Sequence, residues 1–212
     1  MKKRLHGKKA GIAILIALII ISLAEVIFRA AVLGMEAILT TANLGEQIAV
    51  IVFAAAILIF TAKGKDRVCY ICYGAWISYF MLDQLFELPS NIIGFIMLLA
   101  GEITLPSPAI AIVMHTSVVL SIILTIAIGI LLVEYMNDGT IYNKAFNVFC
   151  IVTIVLILLN MVLTVYDVIV SGNAEFLLAT FHDMYRLAMI FLFSFFAYDS
   201  AKVQLKKVDF SE

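Results

Sequence analysis

Long apolar runs broken by short polar punctuation make up most of the chain. Six of them, about 11–34, 46–62, 68–88, 108–133, 145–170 and 175–198, approach or exceed the ~20 residues a helix needs to cross a ~30 Å hydrocarbon core. A helix or a closed barrel is the only way to satisfy the backbone there. A shorter apolar run, Ile92 to Ala100, follows Pro89 and precedes Pro106 and Pro108. At about half the required length, it is expected to form a re-entrant or interfacial hairpin between the third and fourth helices. The pattern predicts an all-α integral membrane protein, a six-transmembrane-helix bundle with that external hairpin, in a single transmembrane domain of residues 1–212.

Composition points the same way. Hydrophobic residues make up 64% of the chain and charged residues 14%, against ~45–50% and about 25% in a soluble globule. The net charge of −1 comes with no basic stripe interleaved with aromatics, so nucleic acid is excluded as a partner and the lipid bilayer takes its place. Lys2, Lys3, Arg4, Lys8 and Lys9 ahead of an apolar run could open a secretory signal, but the run continues to about Gly34, which favours a retained first helix. Cys69, Cys72 and Cys150 are too few for a disulfide framework. The lone C-x-x-C of Cys69 and Cys72 reads as packing thiols.

Charge then orients the spans. Of the fourteen Lys and Arg, twelve lie outside the six spans, and threading the chain through a bilayer puts all twelve on one side. They are the five N-terminal bases, Lys63, Lys65 and Arg67, Lys144, and Lys202, Lys206 and Lys207. By the positive-inside rule both termini are cytoplasmic, expected at the plasma membrane. A seventh crossing would put Lys144 and the basic tail outside. The opposite half holds nine acids and the two remaining bases, Arg29 and Arg186.

Helical spacing gathers those charges into stripes. Tyr73, Trp76, Phe80, Asp83 and Glu87 fall within about 80° on the third span, and Thr153, Asn160, Thr164, Asp167 and Ser171 within roughly 60° on the fifth. Glu175, His182 and Arg186 align on the sixth with Asp183 beside them, and Glu25 stands one turn before Arg29 on the first. Charges inside a membrane usually face the bundle interior and carry function. The expected ligand pocket is therefore Glu25, Arg29, Trp76, Asp83, Glu87, His115, Asn160, Asp167, His182, Asp183 and Arg186, an acidic cavity open to the outside. Glu25 with Arg29 and Asp183 with Arg186 also read as pairs that fix packing. Asp83, Glu87 and Asp167 have no evident partner in the sequence. Trp76, Tyr73 and Phe80 beneath the carboxylates have the makings of a cation–π site for an ammonium group.

The expected activity is binding of a small cationic solute in that pocket, as a transporter or solute-capturing subunit with a cytoplasmic energising partner. A sensor signalling to a cytoplasmic partner is the alternative. An intramembrane metal- or haem-dependent enzyme ranks third: His115 and His182 lack an H-x-x-x-H or H-E-x-x-H spacing, and no nucleophile is convincingly placed. No cofactor is implied. With its size, cytoplasmic termini and hairpin at Glu87 to Pro108, the chain is similar in outline to the substrate-binding components of energy-coupling-factor transporters, a resemblance of architecture that extends to no motif.

Overall fold

The computed structural model describes residues 2–34, 43–64, 66–102, 108–138, 143–174 and 177–202. It consists of six long helices: α1 (Lys2–Leu33), α2 (Asn43–Ala62), α3 (Asp66–Leu99), α4 (Pro108–Asp138), α5 (Asn143–Ser171) and α6 (Leu177–Lys202). The described residues contain no strand. Each helix packs against its neighbours in the chain, and α1 packs against α6, closing a ring. Short links between consecutive elements make neighbours antiparallel. The ring therefore has two ends, a basic one with the starts of α1, α3 and α5 and an acidic one with the starts of α2, α4 and α6.

The surface is inverted relative to a soluble protein. On α1, Leu15, Leu18, Ser22 and Glu25 are buried, whereas Ile16, Ile20, Leu23 and Ile27 are exposed. On α5, Thr153, Ile157, Asn160 and Thr164 are buried, whereas Ile151, Val155, Val162 and Ile169 are exposed. Polar faces thus turn inward and aliphatic faces outward. Apolar exposure on this scale belongs in contact with lipid, and the architecture is that of a helical membrane bundle. Five helices, α1 to α5, are long and apolar enough to cross a membrane. Helix α6 falls short in apolarity because it carries His182, Asp183 and Arg186, and it lies in the ring between α1 and α5.

The third helix departs from expectation. Instead of breaking before Pro89 and restarting as a separate hairpin, α3 runs through Pro89 to Leu99, 34 residues in all, about 51 Å at 1.5 Å per residue. Proline cannot donate to the carbonyl four residues back. Next to it, the Ser90 hydroxyl and the Asn91 side-chain amide both donate to the Glu87 carbonyl, at 2.8 and 2.9 Å. The helix ends at Gly101 (φ 75°), where Gly101 N–H donates to Leu98 O at 3.2 Å and Glu102 N–H to Met97 O at 3.0 Å. That pair of bonds is a Schellman cap, which needs the left-handed residue glycine supplies. The stop signal for this helix is Gly101 rather than Pro89.

An aromatic cluster fills the centre. Trp76 stacks on Phe53 with centroids 5.8 Å apart, and Phe80 meets Tyr185 and Phe193 edge-on at 5.4 and 5.6 Å. Lipid is as apolar as these side chains, so close packing and polar contacts, more than water exclusion, hold such helices together. Gly11 allows one close approach: a Cβ there would lie 2.5 Å from the Phe195 ring, so glycine lets α1 lie against α6.

Candidate functional site

All six helices contribute polar side chains at one depth. Glu25 and Arg29 come from α1, Glu46 and Gln47 from α2, Asp83, Gln84 and Glu87 from α3, Ser121 from α4, Asn160 from α5, and His182, Asp183 and Arg186 from α6. The basic residues provide a ruler for that depth. Lys9, Lys63, Arg67, Lys144 and Lys202 each lie 16 residues along the chain from Glu25, Gln47, Asp83, Asn160 and Arg186 respectively, about 24 Å at helical rise. The polar layer thus lies at a common distance from the basic end of the ring.

Within the layer, two networks each pair an arginine with a carboxylate. Arg29 donates to Glu25 through Nε at 2.9 Å and Nη2 at 2.6 Å, and the Gln47 amide donates to the other Glu25 oxygen at 2.7 Å. Across the ring, Arg186 lies 3.7 Å from Asp183 and donates to the Ser121 hydroxyl at 2.8 Å, while the Asn160 amide donates to Asp183. Glu25 and Arg186 are almost wholly inaccessible, with 2% of each side chain exposed. These pairs lock α1 to α2 and α4 to α5 and α6.

Between them is a looser group. His182 presents Nε2 to Glu87 Oε2 at 3.4 Å and Nδ1 to Glu46 Oε1 at 3.7 Å, so that one imidazole from α6 faces carboxylates from α3 and α2. Asp83 lies within electrostatic reach of Glu46, Glu87, His182 and Arg186. The Gln84 amide donates to Glu87 at 3.2 Å. Exposure rises here, to 26% for the His182 side chain and 34% for that of Glu87. The Tyr185 ring lies 6.4 Å from that of His182.

Of the sequence-predicted residues, the structure brings together Glu25, Arg29, Asp83, Glu87, Asn160, His182, Asp183 and Arg186. Trp76 lies deeper, fully buried against Phe53. His115 bonds the Ala111 carbonyl of its own helix and lies near Gly94 of α3, apart from His182. Asp167 stands seven residues beyond Asn160 on α5, about 10 Å towards the acidic end. Glu175 is outside the described residues. Among the described residues no group of three or more His, Cys, Asp or Glu is arranged to hold a metal ion. Glu46, Gln47, Gln84 and Ser121 are additions that the stripes did not single out. Glu46 and Gln47 were visible as adjacent polar residues in the first turn of an otherwise aliphatic helix.

Further polar side chains follow on α4, α5 and α6. Thr125, Thr153 and Ser194 follow Ser121, Asn160 and Arg186 towards the basic end, by about 6, 10 and 12 Å. Thr125 and Thr153 are fully buried. The Thr153 and Thr164 hydroxyls, Asn160 Oδ1 and Arg186 Nε have no hydrogen-bond partner among the described residues. Buried polar atoms of this kind are normally satisfied by water or by a ligand.

Searches of family models, of curated proteins and of solved structures return no match to this chain. The site's own chemistry therefore carries the functional argument.

Proposed function

We propose that this protein binds a small cationic solute at the acidic layer and takes part in its transport across the membrane. One observation carries the reading: carboxylates from several helices converge in excess of the available cations. Arg29 is matched by Glu25 and Arg186 by Asp183, which leaves Glu46, Asp83 and Glu87 around a single histidine. Like charges this close, partly removed from water, favour a bound cation or a proton. The buried Thr125 and Thr153, which follow towards the basic end, support passage over mere perception. In this reading the basic end is cytoplasmic, the layer faces outward, and the apolar end of α3 beyond Glu87 lies at the outer membrane surface. The chain has no glycine-rich phosphate-cradling loop, so any drive from nucleotide hydrolysis comes from a cytoplasmic partner.

Proteoliposomes test this directly. Accumulation of a labelled organic cation, abolished in Asp83→Asn and Glu87→Gln, is the expected result. Saturable binding without accumulation would favour the sensor reading. Variants that bind and accumulate like the parent would refute the site.

A further inference from the structure

His182 is held less closely by its carboxylates than Arg29 is by Glu25, and it is shared between two of them. The Arg29–Glu25 contacts are 2.6 and 2.9 Å, whereas His182 stands 3.4 and 3.7 Å from its two carboxylates. Each ring nitrogen nevertheless faces an acid. A neutral imidazole has only one N–H, so only the imidazolium can offer a donor to both. The imidazolium thus occupies the position that a bound cation would take between Glu46 and Glu87.

We infer that the site is an exchange site, in which a monovalent organic cation bearing N–H donors displaces the charge of His182 and one proton leaves for each cation bound. This rests on the cation-binding reading above and adds the coupled ion to it. The balance is simple. An N–H bond of the imidazolium breaks, the proton passes to water at the exposed acidic end, and the incoming cation donates to Glu46 and Glu87 in its place. Net charge in the site is unchanged. The ligand is monovalent because it replaces one positive charge, and it carries N–H groups because the acceptors it meets are carboxylates held apart by a two-donor ring.

The groups surrounding His182 agree with this role. Helix α2 presents Glu46, and α3 presents Asp83 and Glu87. On its own helix are Tyr185, Asp183 and Arg186, the last two engaged with each other. Helix α1 brings Glu25 and Arg29, closed upon themselves. The uncharged Ser121 of α4 and Asn160 of α5 bond to Arg186 and Asp183. His182 is therefore the cation in the layer that can lose its proton without parting an arginine from its carboxylate.

The test uses the full chain in lipid nanodiscs with guanidinium as probe, tetramethylammonium as the control lacking N–H, and a pH dye in weak buffer. Saturable guanidinium binding with about one proton released per cation is expected. The affinity should rise by about tenfold per pH unit across the range in which His182 titrates. His182→Gln should bind guanidinium without the part of the proton release and of the pH dependence that His182 supplies, and His182→Asn serves as a second variant should Gln fail to fold. Binding without proton release in the parent, or release undiminished in both variants, overturns the exchange but leaves the cation site standing. Tetramethylammonium binding as tightly as guanidinium removes the N–H requirement and overturns the assigned ligand class. Absence of saturable guanidinium binding at any pH refutes both readings.

Discussion

Arg186 shows how a residue can be structural within a functional layer. One guanidinium nitrogen faces Asp183 and another donates to Ser121, so a planar fork joins α6 to its own preceding turn and to α4. Removing one partner of a buried pair leaves an uncompensated charge, at a cost of about 3–5 kcal/mol. Arg186→Ala is expected to lower stability by that order in unfolding titrations with mixed micelles. Arg186→Lys should recover only part, because an ammonium keeps the charge but not the two-pronged reach. Glu87→Gln should barely move the same titration, since Glu87 is a third exposed and its partner is loose. Much of this was legible in the sequence, because an arginine three residues after an aspartate in an apolar span invites pairing. Ser121 was not: one serine in a hydrophobic helix gives no sign of what it meets across the bundle.

Among the helices, α3 and α5 carry the most information. The stripe on α5 from Thr153 to Thr164 was readable from periodicity, and the structure buries all three of its described polar members below Asp167. If Thr153 lies on the solute or proton route, Thr153→Val should slow accumulation severalfold in proteoliposomes while leaving binding at the layer intact. Equal loss of both would place its role in packing instead. On α3, a proline after an acidic turn and ahead of a short apolar run reads locally as a break. The helix runs on through Pro89, with Ser90 and Asn91 donating to the Glu87 carbonyl, and stops where Gly101 supplies the cap. Whether a helix runs through a proline or stops there depends on its tertiary packing, which spacing alone does not reveal.

For the molecule as a whole, apolar length and charge placement revealed six helices and their two chemically distinct ends, but not which helices touch. His182 meets Glu46 and Glu87 across more than ninety residues of chain, and no local pattern encodes such a meeting. The proposed orientation predicts that single cysteines placed at Asn173 and at Lys202, in a chain with Cys69, Cys72 and Cys150 replaced, react oppositely with an impermeant thiol reagent on intact cells: Asn173 labelled, Lys202 protected. The ring closes only through α1 against α6, so the order of synthesis matters. Glu25 and Arg29 find each other within one helix and Gln47 on the next, as soon as two helices are in place. Glu46, Asp83 and Glu87 must wait for His182, which arrives with the last helix made. A ribosome that stops after Ser171 therefore releases five inserted helices with three acids uncovered and a gap where the sixth belongs, and such a chain should be cleared from the membrane far faster than the full-length protein in a pulse-chase.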